Sequence, residues 1–300
     1  MKALTKVIFL DQTGEKFFGE GPARLLRGIE EGGSLRASAM SMNMAYTKAL
    51  KILNHAEEAL GFPLTTRSVG GRSGGGSTLT PEGKAWLRRY EAYTAACAES
   101  NRQIFRQFFP QVGCVILASG LSKRFGRNKL LEDFGGQPLF FQALRATEGL
   151  RDHRVVVTRH SEVAALCRQL GVEVILHDLP HRSDTVRLGL EALGDVDGCL
   201  FLPADQPLLR RETVDALVST WTEHRDRILR PVCGETPGAP VLFPQWAFPE
   251  LKALPQGKGG GWVMGSHPDK VLPFSIENPR ELLDADTPEA LQMLKTYTME

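Results

Sequence analysis

Residues 117–131 read LASGLSKRFGRNKLL and begin at the end of the apolar run CVILAS. Such a run is typical of a buried strand. Gly120 and Gly126 allow the backbone that follows to approach a phosphate chain, and Arg124 and Lys129 supply cations for a triphosphate. We therefore predict a strand followed by a phosphate-binding loop; a basic surface loop is the alternative.

The rest of the second half alternates short β-rich runs with helix-like stretches. The runs RVVVT, VEVIL and GCLFLPAD follow CVILAS, and stretches of helical pattern near 137–149, 161–170 and 183–193 separate them. This alternation is typical of βαβ units that build a parallel sheet. We predict an α/β, Rossmann-like domain with a mostly parallel sheet over residues 113–300.

Carboxylates stand where such a sheet binds ligands, at the carboxyl ends of its strands. Asp205 follows the apolar run within PADQP, and Asp284 and Asp286 alternate ahead of Thr287. Magnesium takes one or two protein carboxylates together with phosphate oxygens and water. Asp205 and one of the later pair are therefore candidate Mg²⁺ ligands; the alternatives are a helix cap at Asp205 and a capping box that begins at Thr287.

Four motifs in this order resemble the nucleotidyltransferases that mature molybdenum cofactor, the MobA/MocA-like family. The motifs are Leu117–Lys129, Gly135–Leu139, Asp205–Pro207 and Asp284–Glu289. The match is closest to the molybdopterin cytidylyltransferase branch. The resemblance implies an Mg²⁺-dependent transferase that uses a nucleoside triphosphate, with CTP favoured over GTP and molybdopterin as acceptor.

The resemblance also implies roles for individual residues. Arg124 and Lys129 would hold the triphosphate and act in catalysis with Asp205, and Asp205 and Asp286 would hold Mg²⁺. RSDTVRLGL (182–190) is similar to a segment of isoprenoid cytidylyltransferases and adds Asp184 and Thr185 as candidates; a capped helix start without a nucleotide contact is the alternative. The expected nucleotide-binding set is Leu117, Ala118, Ser119, Gly120, Arg124, Lys129, Asp184 and Thr185. The histidines His153, His160, His177 and His181 are expected to be surface or packing residues.

The chain departs from the family pattern on the presumed acceptor side. Residues 237–243 read PGAPVLF where relatives have an arginine and a histidine, and Lys258 stands where an aspartate is expected. Ser119 replaces the usual alanine or glycine of the base-reading loop. Two alternatives follow: a transcriptional regulator whose transferase-like domain only senses a ligand, and a sugar or isoprenoid nucleotidyltransferase.

The first half has a different pattern. KVIFL and EKFF flank the turn residues DQTG and predict a hairpin. Helical periodicity follows up to Gly32-Gly33, then come a short helix capped by Ser34 and a third helix after Asn43. Two helices separated by a short turn make a helix-turn-helix candidate.

Positive charge in this half favours a polyanionic partner. Residues 1–110 carry 15 Lys and Arg against 10 Asp and Glu, whereas residues 111–300 carry 21 against 25. The third helix would enter the major groove of double-stranded DNA. The candidate DNA-binding residues are Arg36, Tyr46, Thr47, Lys48, Lys51, Arg67 and Arg72. A dimerisation module without DNA is the alternative.

The stretch GGRSGGGST (70–78) comes close to the P-loop pattern G-x-x-x-x-G-K-[ST], but Ser77 stands in the lysine position. It also follows a helix rather than a strand. With GSLRASAMSMNMAYTKALKILN and PLTTRSV it resembles the winged helix-turn-helix domain of ModE-type, LysR-related regulators. The glycines are then expected at the tip of a wing, near the DNA backbone.

A long helix from Pro81, capped by Thr80, extends to about Phe108 as a connector or dimer arm. We therefore predict a DNA-binding domain over residues 1–109, with a possible homodimer. The five cysteines are widely spaced, which favours reduced thiols over disulfides or a zinc site. No run of 18 apolar residues occurs, and we expect a cytoplasmic protein without membrane contact.

Overall fold

A computed structural model describes residues 3–67 and 76–297. The chain divides into two compact units, Met1–Phe108 and Phe109–Glu300. Arg72 and the glycines Gly70, Gly71, Gly74 and Gly75 expected at the wing tip lie outside the described residues, whereas Gly76 is described. None of the helices in the part of the chain that the structure describes combines the length and the hydrophobicity that a membrane span needs.

Within its described residues, 3–67 and 76–108, the first unit forms two small antiparallel strand pairs and four helices. Its strands are β1 (Phe9–Leu10), β2 (Lys16–Phe18), β3 (Thr65–Arg67) and β4 (Ser77–Leu79), and its helices are α1 (Glu20–Gly32), α2 (Leu35–Ser41), α3 (Tyr46–Leu60) and α4 (Pro81–Phe108). β1 pairs with β2 and β3 with β4, both antiparallel, so the glycine-rich stretch follows a strand and not the helix expected from the sequence. The predicted first hairpin and the predicted start of α4 at Pro81 are confirmed.

Capping and close packing fix the helices of this unit. Ser34 Oγ accepts from the amide of residue 37, and Thr80 Oγ1 accepts from Gly83 N at 2.8 Å, as the sequence predicted. Gly28 brings α1 against α2, since a Cβ there would lie 2.2 Å from Ser38 Oγ. Ser38 in turn donates to Leu25 O at 3.0 Å. The core is built on Phe18, Leu25, Leu26, Ile29, Leu53, Leu64 and Leu87.

The second unit is a layered α/β structure. Its strands are β5 (Val112–Ala118), β6 (Arg154–Thr158), β7 (Glu173–Leu176), β8 (Gly198–Pro203), β9 (Ile228–Cys233), β10 (Thr236–Pro237), β11 (Val241–Pro244) and β12 (Val271–Ser275). Its helices are α5 (Phe141–Ala146), α6 (Ser161–Gln169), α7 (Arg182–Leu193), α8 (Arg211–Glu223), α9 (Phe248–Lys252), α10 (Gly260–Ser266) and α11 (Pro288–Thr296).

An eight-stranded sheet forms the centre of this unit. Its order is β10-β9-β11-β8-β5-β6-β7, with β12 paired to β9. The pairs β8-β5, β5-β6, β6-β7 and β9-β12 are parallel, while β11 runs antiparallel to both of its neighbours. The mostly parallel sheet is confirmed; the strands β9 to β12 were not predicted from the sequence.

The sheet separates two hydrophobic clusters, because side chains alternate along its buried strands. On β5, Cys114 and Ile116 belong to one cluster and Val115 to the other. The first cluster contains the buried Trp221 of α8. The second contains Val186 of α7 and Phe243 of β11. Since both faces are covered, loops that carry polar groups are left at the ends of the strands.

Candidate functional site

The loop that follows β5 carries the first cations of the candidate site. It turns tightly, with Ser122 at φ 48° and Gly126 at φ 76°, and Phe125 N donates to Ser122 O at 2.9 Å. Phe125 is buried in a small cluster with Ala285 and residues of α11. This contact fixes the loop beside the segment that contains Asp284 and Asp286.

Lys129 lies at the centre of a cluster of charges. Its Nζ is 2.5 Å from Asp205 Oδ2 and 3.0 Å from Asp286 Oδ1, and Arg124 Nη2 donates to Asp286 Oδ2 at 2.6 Å. Only 7% of Lys129 is exposed. Asp205 stands two residues beyond β8, and its carbonyl accepts from Ala285 N at 2.9 Å. The motifs that contain Lys129, Asp205 and Asp286 are therefore in direct contact at the carboxyl ends of the parallel strands.

The charges in this cluster shift one another's titration. Burial lowers the pKa of Lys129, but the carboxylates of Asp205 and Asp286 outweigh that effect and hold the pKa above its usual value. The ammonium of Lys129 lowers the pKa of Asp286. Asp284 is exposed overall, yet desolvation of its carboxyl and the nearby Asp205 raise its pKa to about 6. Lys129 is thus a fixed cation between two carboxylates.

Two cavities open beside this cluster. The first, of about 340 Å³, is lined by the β5 loop at Ser119 and Gly120, by Thr185 of α7 and by Asp205. The second, of about 570 Å³, shares Leu117, Arg182 and Pro203 with the first. Its walls include residues 237–239, residues 257–262 and Asp284. After the roles that the sequence analysis expects for their walls, we call these the base-side cavity and the acceptor-side cavity.

Histidines surround the loop at Ser119, which the sequence did not indicate. His177 Nε2 lies 2.9 Å from Ser119 Oγ and 3.5 Å from Thr185 Oγ1, and His160 Nε2 lies 2.9 Å from Gly120 O. Burial, followed by the nearby Arg159, lowers the pKa of His177. The neutral imidazole therefore connects two hydroxyls that line the base-side cavity. No local pattern would have revealed this contact, since His177 and Ser119 are 58 residues apart.

The remaining predicted nucleotide ligands lie close by but outside the lining of the base-side cavity. Ala118 is buried at the end of β5, where its carbonyl accepts from Thr158 Oγ1 at 2.9 Å. Asp184 lies in the first turn of α7 and accepts from His181 N at 3.1 Å in a capping box. Arg124 and Lys129 belong to the charge cluster. Leu117, Ser119, Gly120 and Thr185, also expected to bind the nucleotide, line the cavity.

The donor set at Lys129 fits a divalent cation of the magnesium type. Asp205 and Asp286 already converge on one cationic atom, and carboxylate oxygens are the protein ligands that Mg²⁺ takes. Among the described residues, three metal-ligand side chains come within 4.8 Å of one another only at Asp11, Glu15 and His55, in the first unit. A metal at the candidate site would therefore need oxygens from phosphate or water besides the two carboxylates.

Six of the seven candidate DNA-binding residues are described, and all six are exposed. α3 buries Ala49, Leu53 and Ala56 and exposes the opposite side. The exposed candidates are Arg36 on α2, Tyr46, Thr47, Lys48 and Lys51 on α3, and Arg67 at the end of β3. Arg67 Nη2 lies 3.4 Å from Asn54 Oδ1 on α3. The α3 residues and Arg67 thus lie on neighbouring elements.

Comparison with known proteins identifies the second unit. The sequence model of the MobA-like NTP transferase domain matches residues 114–271, more than half of the chain. The chain belongs to this family. The matched MobA-like domain contains Lys129 and Asp205, whereas Asp286 follows it.

Several curated relatives have names from molybdenum metabolism, and others do not, among them a 3-deoxy-manno-octulosonate cytidylyltransferase of Chlorobium phaeobacteroides and the purine catabolism protein PucB of Bacillus subtilis. The molybdenum-pterin-binding protein MopB of Rhodobacter capsulatus is 33% identical over 31% of this chain and 34% of its own length. A probable molybdenum cofactor guanylyltransferase of Pyrococcus horikoshii is 31% identical over 37% of this chain and 56% of its own. The molybdenum cofactor cytidylyltransferase of Escherichia coli is 23% identical over 59% of this chain and 92% of its own. The chain thus spans only about a third to a half of the first two.

Solved structures share the fold of the MobA-like domain. Rv0371c from Mycobacterium tuberculosis matches with a TM-score of 0.56 and 22% identity, and covers 62% of this chain and 98% of its own. A structure of the same protein in complex with manganese matches with a TM-score of 0.52. At this identity the likeness shows the fold alone.

Proposed function

We propose that the second unit transfers a nucleotidyl group from CTP, in preference to GTP, to the phosphate of molybdopterin. One observation carries the proposal. Lys129 is buried between Asp205 and Asp286, beside a cavity lined by Ser119, Gly120 and Thr185. A buried lysine that faces two carboxylates at the carboxyl edge of a parallel sheet suits a polyphosphate with its cation.

The proposed reaction needs few protein groups. An oxygen of the molybdopterin phosphate attacks the α-phosphorus of CTP; the new P–O bond forms as the bond to the β-phosphate oxygen breaks, and pyrophosphate leaves. Arg124 and Lys129 stabilise the negative charge that develops on the phosphates. Asp205 and Asp286 would hold Mg²⁺, which would neutralise the triphosphate and polarise its oxygens.

In this proposal each of the two cavities holds one of the two substrates. The base-side cavity would take the nucleotide base against Ser119 and Thr185. The acceptor-side cavity would take the pterin, with Trp262 offering an aromatic face and Arg182 and Lys258 positive charge. Its volume of about 570 Å³ suits a ligand of that size.

A substrate screen tests the enzymatic proposal. Purified full-length protein is incubated with Mg²⁺, molybdopterin and each nucleoside triphosphate, and pyrophosphate release is followed. We expect release with CTP and a lower rate with GTP. Well-folded protein that releases no pyrophosphate with either nucleotide would show that the second unit is not such a transferase.

We further propose that the first unit binds double-stranded DNA as a winged helix-turn-helix. The succession of α2, a short turn and α3 supports this, as does the antiparallel hairpin of β3 and β4 that follows. The exposed Lys48 and Lys51 on α3 are suited to phosphate contacts.

The long α4 supports a homodimer, because Ile104 and Phe108 are 53% and 71% exposed on it. Light scattering would give the mass of the assembly.

One observation favours a second function, a regulator whose transferase-like unit only senses a nucleotide or pterin. The acceptor-side wall at residues 237–239 and 257–259 lacks the arginine, histidine and aspartate of the family pattern. Asp205→Ala separates the two proposals. A sensor would keep its ligand-dependent DNA binding in this variant, whereas a transferase would lose its turnover.

A further inference from the structure

Ser119 lines the base-side cavity, and its hydroxyl makes two short contacts with the protein. Its Oγ lies 3.1 Å from Val157 O and 2.9 Å from His177 Nε2. A serine hydroxyl has one hydrogen and two lone pairs. Because a carbonyl oxygen can only accept, both contacts are hydrogen bonds only if Oγ donates to Val157 O and accepts from His177 Nε2.

These contacts fix the position of the ring hydrogen of His177. Burial lowers the pKa of His177, so the imidazole is neutral at physiological pH and carries one ring hydrogen. With that hydrogen on Nδ1, the hydroxyl of Ser119 could satisfy only one of its two contacts. With the hydrogen on Nε2, it satisfies both. His177 is not one of the described residues that line the cavity, and it acts by orienting Ser119.

Thr185 offers the cavity the opposite kind of group. Its Oγ1 lies 3.5 Å from His177 Nε2, whose hydrogen is already directed at Ser119. No other hydrogen bond of Thr185 Oγ1 is present in the part of the chain that the structure describes. The hydroxyl hydrogen of Thr185 is therefore free to donate to a ligand. Ser119, whose hydrogen is used on Val157 O, can only accept from one.

The other walls of the base-side cavity do not distinguish one pyrimidine from another. Two cations, Arg159 and Arg182, suit phosphate oxygens or the O2 carbonyl that cytosine and uracil share. The apolar contacts to the faces of a planar base would come from Leu117, Leu121, Pro180 and Pro203. In a mostly apolar site, a small number of placed polar groups decides specificity. The two hydroxyls are such groups.

We propose that His177, by holding Ser119 as a hydrogen-bond acceptor, makes this site select cytidine nucleotides over uridine nucleotides. The inference rests on the proposed function, which places the base in this cavity. Cytosine has a donor, its amino group at C4, beside an acceptor at N3, and uracil has the reverse order. A uracil oxygen at Ser119 would face a lone pair. The hydroxyl could turn toward that oxygen only by losing its bond to Val157 O and opposing the hydrogen on Nε2.

Calorimetric titration of the full-length protein with CTP and with UTP, in Mg²⁺ and without an acceptor, tests the selection. We expect CTP to bind roughly tenfold tighter than UTP, or more, because one hydrogen bond is replaced by a repulsive contact. Equal affinities would overturn this inference and leave the proposed transfer reaction intact. No binding of either nucleotide to well-folded protein would overturn both.

Three variants assign the selection to this pair of residues. Ser119→Ala removes the acceptor and should bring the two affinities to within about twofold. His177→Leu frees the hydroxyl and should lower the ratio of affinities by about threefold or more. His177→Gln supplies an amide donor and should keep the ratio near that of the wild type.

His153→Leu, at an exposed position, is the matched control and should leave both affinities unchanged. An unchanged ratio in Ser119→Ala or in His177→Leu would overturn the proposal. A loss of affinity that is equal for CTP and UTP in these variants would also overturn it, since that result indicates a purely structural role.

Discussion

At the scale of single residues, Lys129 determines the character of the candidate site. Its ammonium bridges carboxylates from two distant segments of the chain. Its side chain is buried, so the ammonium is held at the carboxylates and is not free in solvent. A sequence reading could place Lys129 and Asp205 at one edge of the sheet, because the carboxyl ends of parallel strands meet there. It could not show that the lysine lies between the carboxylates, since that depends on how the loop at Phe125 packs.

Lys129→Met should lower the rate of nucleotidyl transfer by about 100-fold, because it removes a charge that stabilises the departing pyrophosphate. The exposed Lys123, on the same loop, provides the matched control Lys123→Met. Steady-state rates of pyrophosphate release compare the two variants. Equal rates of pyrophosphate release in the two variants would show that Lys129 does not take part in catalysis.

His177 gives the protein a pH dependence with a definite sign. Its pKa is lowered in the folded protein, so its neutral form contributes stability that is present above pH 6.5 and is lost as the pH falls through the folded pKa. His177→Gln should therefore make unfolding less sensitive to acid below pH 6.5. Urea unfolding at several pH values measures this, with the exposed His153→Gln as control. Parallel profiles for wild type and His177→Gln would contradict the assignment.

At the scale of elements, the parallel strands were predictable and the antiparallel ones were not. β5, β6 and β8 contain continuous apolar runs and are buried almost throughout, as expected for strands covered on both faces. β7, at the edge of the sheet, is only partly buried, but its apolar residues Val174–Leu176 were still recognisable. The unpredicted strands contain prolines, for example Pro231 in β9 and Pro273 in β12, which weaken a strand pattern. Their places are decided by pairing with distant partners such as β8, which local sequence does not encode.

Gly83 allows α4 to approach the chain at Leu64, because a Cβ there would lie 2.1 Å from Leu64 O. Gly83→Ala should therefore lower the unfolding free energy of the first unit by about 1–3 kcal/mol. Gly21→Ala on α1, where a Cβ would meet nothing within 4 Å, should raise it by up to about 1 kcal/mol. Scanning calorimetry of the full chain compares them, and a stabilising Gly83→Ala would refute the close approach.

At the scale of the whole molecule, the two units carry opposite net charge and suit different ligands. The first is basic and exposes lysines on α3, while the second carries an excess of acidic residues. Both proposals point to molybdenum metabolism, one through the MobA-like domain and one through the resemblance of the first unit to molybdate-responsive regulators. We therefore expect DNA to bind the first unit and the nucleotide to bind the second.

Lys51→Ala should weaken DNA binding and reduce the slope of log affinity against log salt by about 1, because one phosphate contact is lost. Nucleotide affinity should stay the same. Lys252→Ala, at an exposed position in the second unit, is the control and should change neither. Fluorescence anisotropy at several salt concentrations measures the slope. An unchanged slope in Lys51→Ala would place the DNA surface elsewhere.

The most direct test of the central claim compares the initial rate of CTP-dependent pyrophosphate release for wild type, Asp205→Asn and Asp152→Asn. Asp152 is exposed and lies away from the charge cluster. If Asp205 and Lys129 form a nucleotidyltransferase centre, Asp205→Asn should lose activity by about 100-fold or more while Asp152→Asn stays at the wild-type rate. Equal rates in all three proteins, at equal Tm, would contradict it.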